Sequence, residues 1–308
     1  IEHSACGYNG ELIPNEFVKS LSEHVDFITV CPEVEIGLGI PRDPVRIIQK
    51  NEGLKLIQPS TNKDLTKKIE TFSRNYSKSL HDVDGFILKS RSPSCGVGDA
   101  KIYMDNDSGA TNGKTNGFFA NQVSNDFNGF PIEHEARLSN FRIRESFLTK
   151  IFIFSSFRNI LKNPDIRHLI DFHSKNKLLL MSYSQKYLKI LGQITANQQN
   201  ISIKELLDLY FENLKLALKK LPRIGTNINV LQHAFGYFSD NLSKKERSYF
   251  LELTDSYKNE KIPLSALITV IRSWIIKYDI DYLLQQTYFR PYPEELIAIK
   301  DSGQGRKL

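Results

Sequence analysis

The sequence predicts an α/β N-terminal domain with a parallel sheet, followed by an all-α C-terminal domain. Three observations predict it. Short β-branched or aromatic runs at Val25–Val30 and Gly85–Leu88 flank a polar, helix-periodic stretch from Asp64 to Leu80. Beyond Ser139 the apolar period becomes helical in every long segment. The charge changes at the same place: residues 1–150 carry 18 Lys and Arg against 20 Asp and Glu, whereas residues 151–308 carry 23 against 15.

Each element follows from its residues. Ile1 to Ser4 reads as a short strand and Val25–Val30 as a longer one. Leu65, Ile69 and Phe72 recur at i, i+4 and i+7, which places one apolar stripe on a helix over 64–80. Gly85–Leu88 then returns to strand, and a strand–helix–strand order at this spacing favours parallel pairing. The Asn- and Gly-rich run from Asp105 to Gly117 reads as a mobile loop.

In the second half, helices are expected over 141–161, 165–192, 203–221, 227–238, 244–257 and 264–289. Ser202 with Glu205, and Ser243 with Glu246, have the spacing of capping boxes. Pro164, Pro222 and Pro263 fall between segments, where a missing N–H costs least. The boundary is expected near Glu135–Ser139, giving domains 1–136 and 137–308.

Composition excludes some classes outright. With 40% hydrophobic and 25% charged residues in 308, the chain can bury enough surface to offset its conformational entropy. Apolar runs such as Leu178–Met181 fall far short of the ~20 residues a bilayer demands. Ile1-Glu2-His3-Ser4 lacks the basic start and apolar stretch of a leader, and the missing Met leaves the true start open. Three cysteines make no disulfide framework, so a reducing cytoplasm is the expected compartment.

Cys6, Cys31 and Cys95 are separated by 25 and 64 positions, and no CxxC is present. Zinc ribbons, thioredoxin motifs and ferredoxin-type runs are therefore unsupported. Three unrelated thiols, some buried as small hydrophobes, remain one reading. The other is convergence, because each cysteine stands just after an expected strand, at the sheet edge where α/β folds place ligands. Three thiolates cannot complete a four-Cys cage but can hold an iron–sulfur cluster with one iron open.

The blocks around these cysteines carry a resemblance. Ser4-Ala5-Cys6, the run from Val30 to Arg42 (VCPEVEIGLGIPR) and the run from Asp84 to Gly96 (DGFILKSRSPSCG) resemble the thiouracil desulfurase family. The runs FHSKNKLLLM at 172–181 and NVLQHAFGYF at 229–238 are similar to the helical domain fused to it in longer members, the arrangement of bacterial tRNA 4-thiouridine desulfidases. The resemblance implies a 4Fe–4S cluster on Cys6, Cys31 and Cys95, with Glu33 handling protons and Ser92 as its hydroxyl partner. It also implies non-redox desulfuration of 4-thiouridine in tRNA, with a small thiolated nucleobase as the other possible substrate. The chain departs from the family after Cys6, where Gly7-Tyr8-Asn9-Gly10 stands in place of a longer loop.

Each assignment has a plainer rival. Glu33 can be a helix-start carboxylate, and Ser92 or Ser94 can cap the turn around Pro93. Lys89, Arg91 and Arg42 can neutralise a cluster or a phosphate, or simply be solvated. Lys175, Lys177, Tyr183, Lys186, Tyr187 and Lys189 mix cations with aromatic rings, as an RNA-binding surface does, although a wet helix face looks the same. His233 and Trp274 read as core. A desulfurase of free thiouracil, a non-enzymatic nucleic-acid-binding protein with structural cysteines, and a persulfide carrier are the competing functions.

Overall fold

The computed structural model describes residues 1–3, 7–104, 109–196 and 200–297. The chain divides into two compact units, Ile1–Ile151 with the segment from Pro293, and Phe152–Tyr292.

In the first unit, α1 (Glu16–Leu21) starts where the Asn15 side chain accepts from the Val18 N–H, closing one of the helix's orphan donors. β1 (Arg46–Lys50) and β2 (Gly53–Gln58) form an antiparallel hairpin in register from Arg46↔Ile57 to Lys50↔Gly53. Gly53, the first residue of β2, has φ +114°, a conformation that favours glycine. β3 (Lys63–Asp64) adds to the far side of β2, and the Asp64 carboxylate accepts from Thr66 N to open α2 (Thr66–Ser79). β4 (Phe86–Leu88) pairs in parallel with β7 (Ile132–His134), from Phe86↔Ile132 to Leu88↔His134. β5 (Ala100–Tyr103) lies parallel to β1 and antiparallel to β6 (Thr111–Thr115). α3 (Phe118–Asp126) follows, and α4 (Phe141–Lys162) runs across the division between the units.

The fold class is α/β and then helical, as expected, but the sheet is mixed. Its order is β3-β2-β1-β5-β6, with only the β1–β5 pair parallel, and β4–β7 stands as a separate parallel pair. The expected strand at 25–30 forms no ladder with any described segment, and Ile28 is exposed. Residues 1–3 are likewise outside any strand, and part of the expected 105–117 loop is β6. Ile47 and Ile48 are both buried because β1 is central, while β6 is a polar edge whose residues give no apolar signal. Val45, Ile47, Leu56, Leu65, Ile69 and Ala100 form one core cluster, and Leu88, Phe119, Ala120 and Val123 form another. Phe72 packs against both.

The second unit is helical throughout its described residues. The single helix expected over 165–192 is three: α5 (Ile166–Lys175), α6 (Lys177–Tyr183) and α7 (Gln185–Thr195). Gln286 makes the first break, accepting from Leu178 N and donating to Ser174 O. Asn176 is held there by Thr287 Oγ1, which donates to its side-chain oxygen at 2.7 Å. These partners lie over 100 positions away, which is why local periodicity cannot show the break. α8 (Ile203–Ala217) and α10 (Lys244–Lys258) both begin with the expected capping boxes. α9 (Ile224–Gly236) lies between them, and α11 (Leu264–Tyr278) ends at Asp279, whose φ of +49° stops the helix before α12 (Asp281–Leu284). Phe157 stacks on Tyr210 and Phe211 in the interior, and Trp274 packs on Phe235, Phe238 and Phe250. His233 is exposed, not core, because its position on α9 faces away from the buried Val230, Leu231 and Ala234.

Candidate active site

The site of the first unit is made by two loops and one carboxylate. The first loop runs from Cys31, whose carbonyl accepts from Val34 N and Glu35 N and so starts a helical turn through Leu38. Gly37 and Gly39 end that turn with φ of +89° and +69°. The chain then returns to Arg42, whose backbone N–H donates to Tyr8 O at 2.7 Å.

The second loop runs from Lys89 to Gly96. Glu135, just past β7, fixes its start: it accepts from Lys89 Nζ at 2.6 Å, Ser90 N at 2.7 Å and Ser90 Oγ at 2.7 Å. Burial alone pushes the Glu135 carboxyl up, but the bonds from Lys89 and Ser90 outweigh it and hold it below its ordinary value. Arg91 follows with φ +59°, its N–H held by Asp99 Oδ2 at 2.9 Å. His134 Nε2 lies 3.5 Å from the same oxygen.

The loop then seats on the start of α3. Phe118 N donates to Pro93 O and Ala120 N to Ser94 O, so two orphan N–H groups of the helix are satisfied by the loop itself. Gly117 makes this approach possible. A Cβ there would lie 2.4 Å from both C and O of Ser94 and 2.7 Å from Cys95 N.

Glu33 joins the two loops. Its Oε2 accepts from Arg42 Nε at 2.9 Å and Nη2 at 2.6 Å, and its Oε1 accepts from Ser94 Oγ at 3.0 Å and Ser92 Oγ at 3.4 Å. The Ser92 oxygen also accepts from the N–H groups of Ser94 and Cys95, both at 3.1 Å, so its single proton is left to point at Glu33. Arg42 Nη2 further donates to Cys31 Sγ at 3.6 Å. Cys31 and Cys95 are both half-buried.

The structure thus brings Glu33, Ser92 and the loops of Cys31 and Cys95 into one place. Cys6 lies outside the described residues, and among those described no three His, Cys, Asp or Glu side chains gather as a metal-binding group. The sequence offered Ser94 as a turn cap and Arg42 as a counter-charge or a solvated cation, with no link to Glu33. Yet Ser94 is the nearer and fully buried hydroxyl partner of Glu33, and Arg42 is bonded to it as well. The signal available was the strict spacing of Ser92, Ser94 and Cys95 around one proline. Lys89 is paired with Glu135, and Arg91 is exposed.

The expected RNA-contact residues all lie in the second unit. Lys175 ends α5 and pairs with Asp171 at 2.7 Å. Lys177, Lys186 and Lys189 are exposed, while Tyr183 and Tyr187 are half-buried, with Lys186 Nζ 5.4 Å from the Tyr187 ring centre. No described helix is long and apolar enough to cross a membrane.

The first unit is thus an α/β unit in which two thiol-bearing loops are tied together by one carboxylate, and thiolates are donors that prefer soft metals. Residues 1–135 match the model of the 2-thiouracil desulfurase family, and residues 177–293 match a family described as a protein of unknown function, DUF1722. The chain is 28% identical over 164 residues to the uncharacterized protein YbgA of Escherichia coli (strain K12), covering 53% of this chain and 96% of that protein. It is 30% identical over 103 residues to the uncharacterized protein YbbK of Bacillus subtilis (strain 168), covering 30% of this chain and 66% of that protein. A solved structure described as a [4Fe-4S]-dependent thiouracil desulfidase, TudS, aligns with a TM-score of 0.34 at 23% identity, over 44% of this chain and 89% of its own.

Proposed function

We propose that the first unit is an iron–sulfur-dependent desulfurase that converts a thiouracil-type base to its oxo form. Water enters, the C=S bond becomes C=O, and sulfide leaves, with no net electron transfer. The observation that carries this reading is the Glu33 bridge, which ties the Cys31 loop to the Cys95 loop through Ser94 and Ser92. The family match over residues 1–135 supports the same chemistry.

The residues present suit a cluster. Two half-buried thiols stand on the two loops, and a guanidinium donates to one of the sulfurs, which favours an anionic sulfur-ligated group. Cys31 and Cys95 would hold it, with Cys6 as the third thiol of the proposal. Bound there, a 4Fe–4S cluster with an open iron supplies a thiophilic Lewis acid for the thiocarbonyl sulfur. Glu33 takes up the proton of the attacking water through the hydroxyl of Ser94, whose proton points at its Oε1. Ser92, its oxygen already accepting two backbone N–H groups, donates to the same Oε1 and holds it in place. Arg42 keeps the other oxygen occupied, so the carboxylate is presented in one orientation.

The finer assignment, 4-thiouridine within tRNA, belongs to the same proposal. It is favoured by the exposed Lys177, Lys186 and Lys189 and by Tyr187 beside Lys186 in the second unit. Anaerobic purification with iron and sulfide quantitation, then incubation with 2-thiouracil and with thiolated tRNA, tests both levels. Brown, iron-loaded protein releasing sulfide from either substrate is expected. Colourless protein inert towards both sinks the desulfurase, and release from thiouracil alone sinks the tRNA assignment.

A further inference from the structure

We propose that Arg42 is a positioning residue that tunes the sulfur donor of Cys31, in addition to orienting Glu33; this rests on the cluster reading above. The side chain is only 4% exposed. Among the described residues its guanidinium donates to Glu33 Oε2 twice, to Gly39 O at 3.3 Å and to Cys31 Sγ at 3.6 Å. Its backbone N–H holds Tyr8 O, so one residue ties the Gly7–Glu11 turn, the Gly37–Gly39 return and the Cys31 helical turn together.

This arrangement separates two roles. An arginine needed only as a counter-ion for Glu33 has no reason to place Nη2 against a sulfur as well. An N–H bond to a ligating thiolate draws charge off the sulfur, so the sulfur gives less to the iron. A less electron-rich cluster is easier to reduce and a stronger acceptor for an incoming sulfur atom. The planar fork spreads its donors over three nitrogens, so one side chain meets Glu33, Gly39 and Cys31 at once, whereas a lysine ammonium gathers its donors at a single point.

The test uses the full chain, loaded with iron and sulfide under inert gas, as wild type, Arg42→Lys and Arg42→Gln. Iron content, the melting curve and the midpoint potential of the cluster are measured for each. We expect wild-type iron content in all three, a potential shifted to lower values in Arg42→Gln, and a smaller shift in the same direction in Arg42→Lys. Equal potentials at equal iron content overturn the tuning role. Loss of iron from both variants, or a melting curve collapsed in both, overturns it too, because the residue is then required for assembly or folding. A wild type that takes up no iron sinks the functional reading itself and this inference with it, which sets that failure apart from the others.

Discussion

Glu33 and Arg42 meet through two nitrogens on a single oxygen: Nε at 2.9 Å and Nη2 at 2.6 Å both reach Oε2. That leaves Oε1 wholly to the serine loop, where Ser94 and Ser92 donate. The carboxylate is divided between a cation that fixes it and two hydroxyls, of which Ser94 is the one through which a proton can arrive, since the Ser92 oxygen already accepts two N–H groups.

Replacing Glu33 by Gln should therefore remove proton uptake while keeping the shape. Sulfide release is expected to fall by about 10²- to 10⁴-fold, the usual contribution of a positioned acid–base group. Stability should fall as well, since Arg42 loses its partner in a nearly buried position; breaking such a pair costs about 3–5 kcal/mol. Initial rates and urea unfolding measure the two effects separately. Unchanged rates at full iron content would remove Glu33 from the chemistry.

Gly117→Ala should disturb the Cys95 loop directly. The new Cβ would stand 2.4 Å from the Ser94 carbonyl carbon and oxygen, and backbone cannot rotate away as a side chain can. A loss of about 1–3 kcal/mol is expected, as for overpacking generally, together with reduced iron uptake. Gly225→Ala in α9 is the control, because nothing lies within 4 Å of its Cβ position. That variant should be neutral or gain up to about 1 kcal/mol from helix propensity. Chemical denaturation of both proteins checks the contrast.

The parts legible in the sequence are those decided locally. The two capping boxes, the helix around Ile69 and Phe72 and the start of α4 at Phe141 all depend on residues within a turn or two. The break at Asn176 does not, since Gln286 and Thr287 supply the bonds that make it. The one at Ser184 is a local N-cap, its hydroxyl accepting from Tyr187 N, that the apolar period alone passes over. Val25–Val30 has the composition of a strand but no described partner, and propensity cannot show whether a partner exists. At the site, Cys31 and Cys95 were legible as motif residues. The choice of Ser94 over Ser92 as the closer donor was not, because both flank the same proline and only the fold places one nearer Glu33.

Glu135 gives the first unit a defined acid sensitivity. Burial raises its carboxyl, the bonds from Lys89 and Ser90 outweigh this, and the folded value lies below the ordinary 4.5. The stabilisation is thus fully present above the unfolded value and is lost as pH falls through the folded one. Glu135→Gln should be less stable than wild type at neutral pH, with the gap closing as pH drops below 4.5. Urea midpoints of both proteins between pH 7 and about pH 3 follow this, and a gap independent of pH would show that the charge of Glu135 is not what anchors the loop.

His173 sets a second, higher window in the helical unit. Its Nδ1 lies 3.0 Å from the hydroxyl of the fully buried Tyr210. Burial, assisted by the nearby charge of Lys177, lowers it from 6.5 to about 4. The imidazole is neutral in the folded chain and takes a proton in the unfolded one, so stability is complete above 6.5 and declines as pH falls towards 4. His173→Gln keeps a polar partner for Tyr210 without a titrating group. It should therefore flatten the stability profile between those two values while leaving the Glu135 window below them intact. Unfolding followed by the tyrosine and tryptophan signals of the second unit should show the flattening, and a variant as steep as wild type would place the proton on some other group.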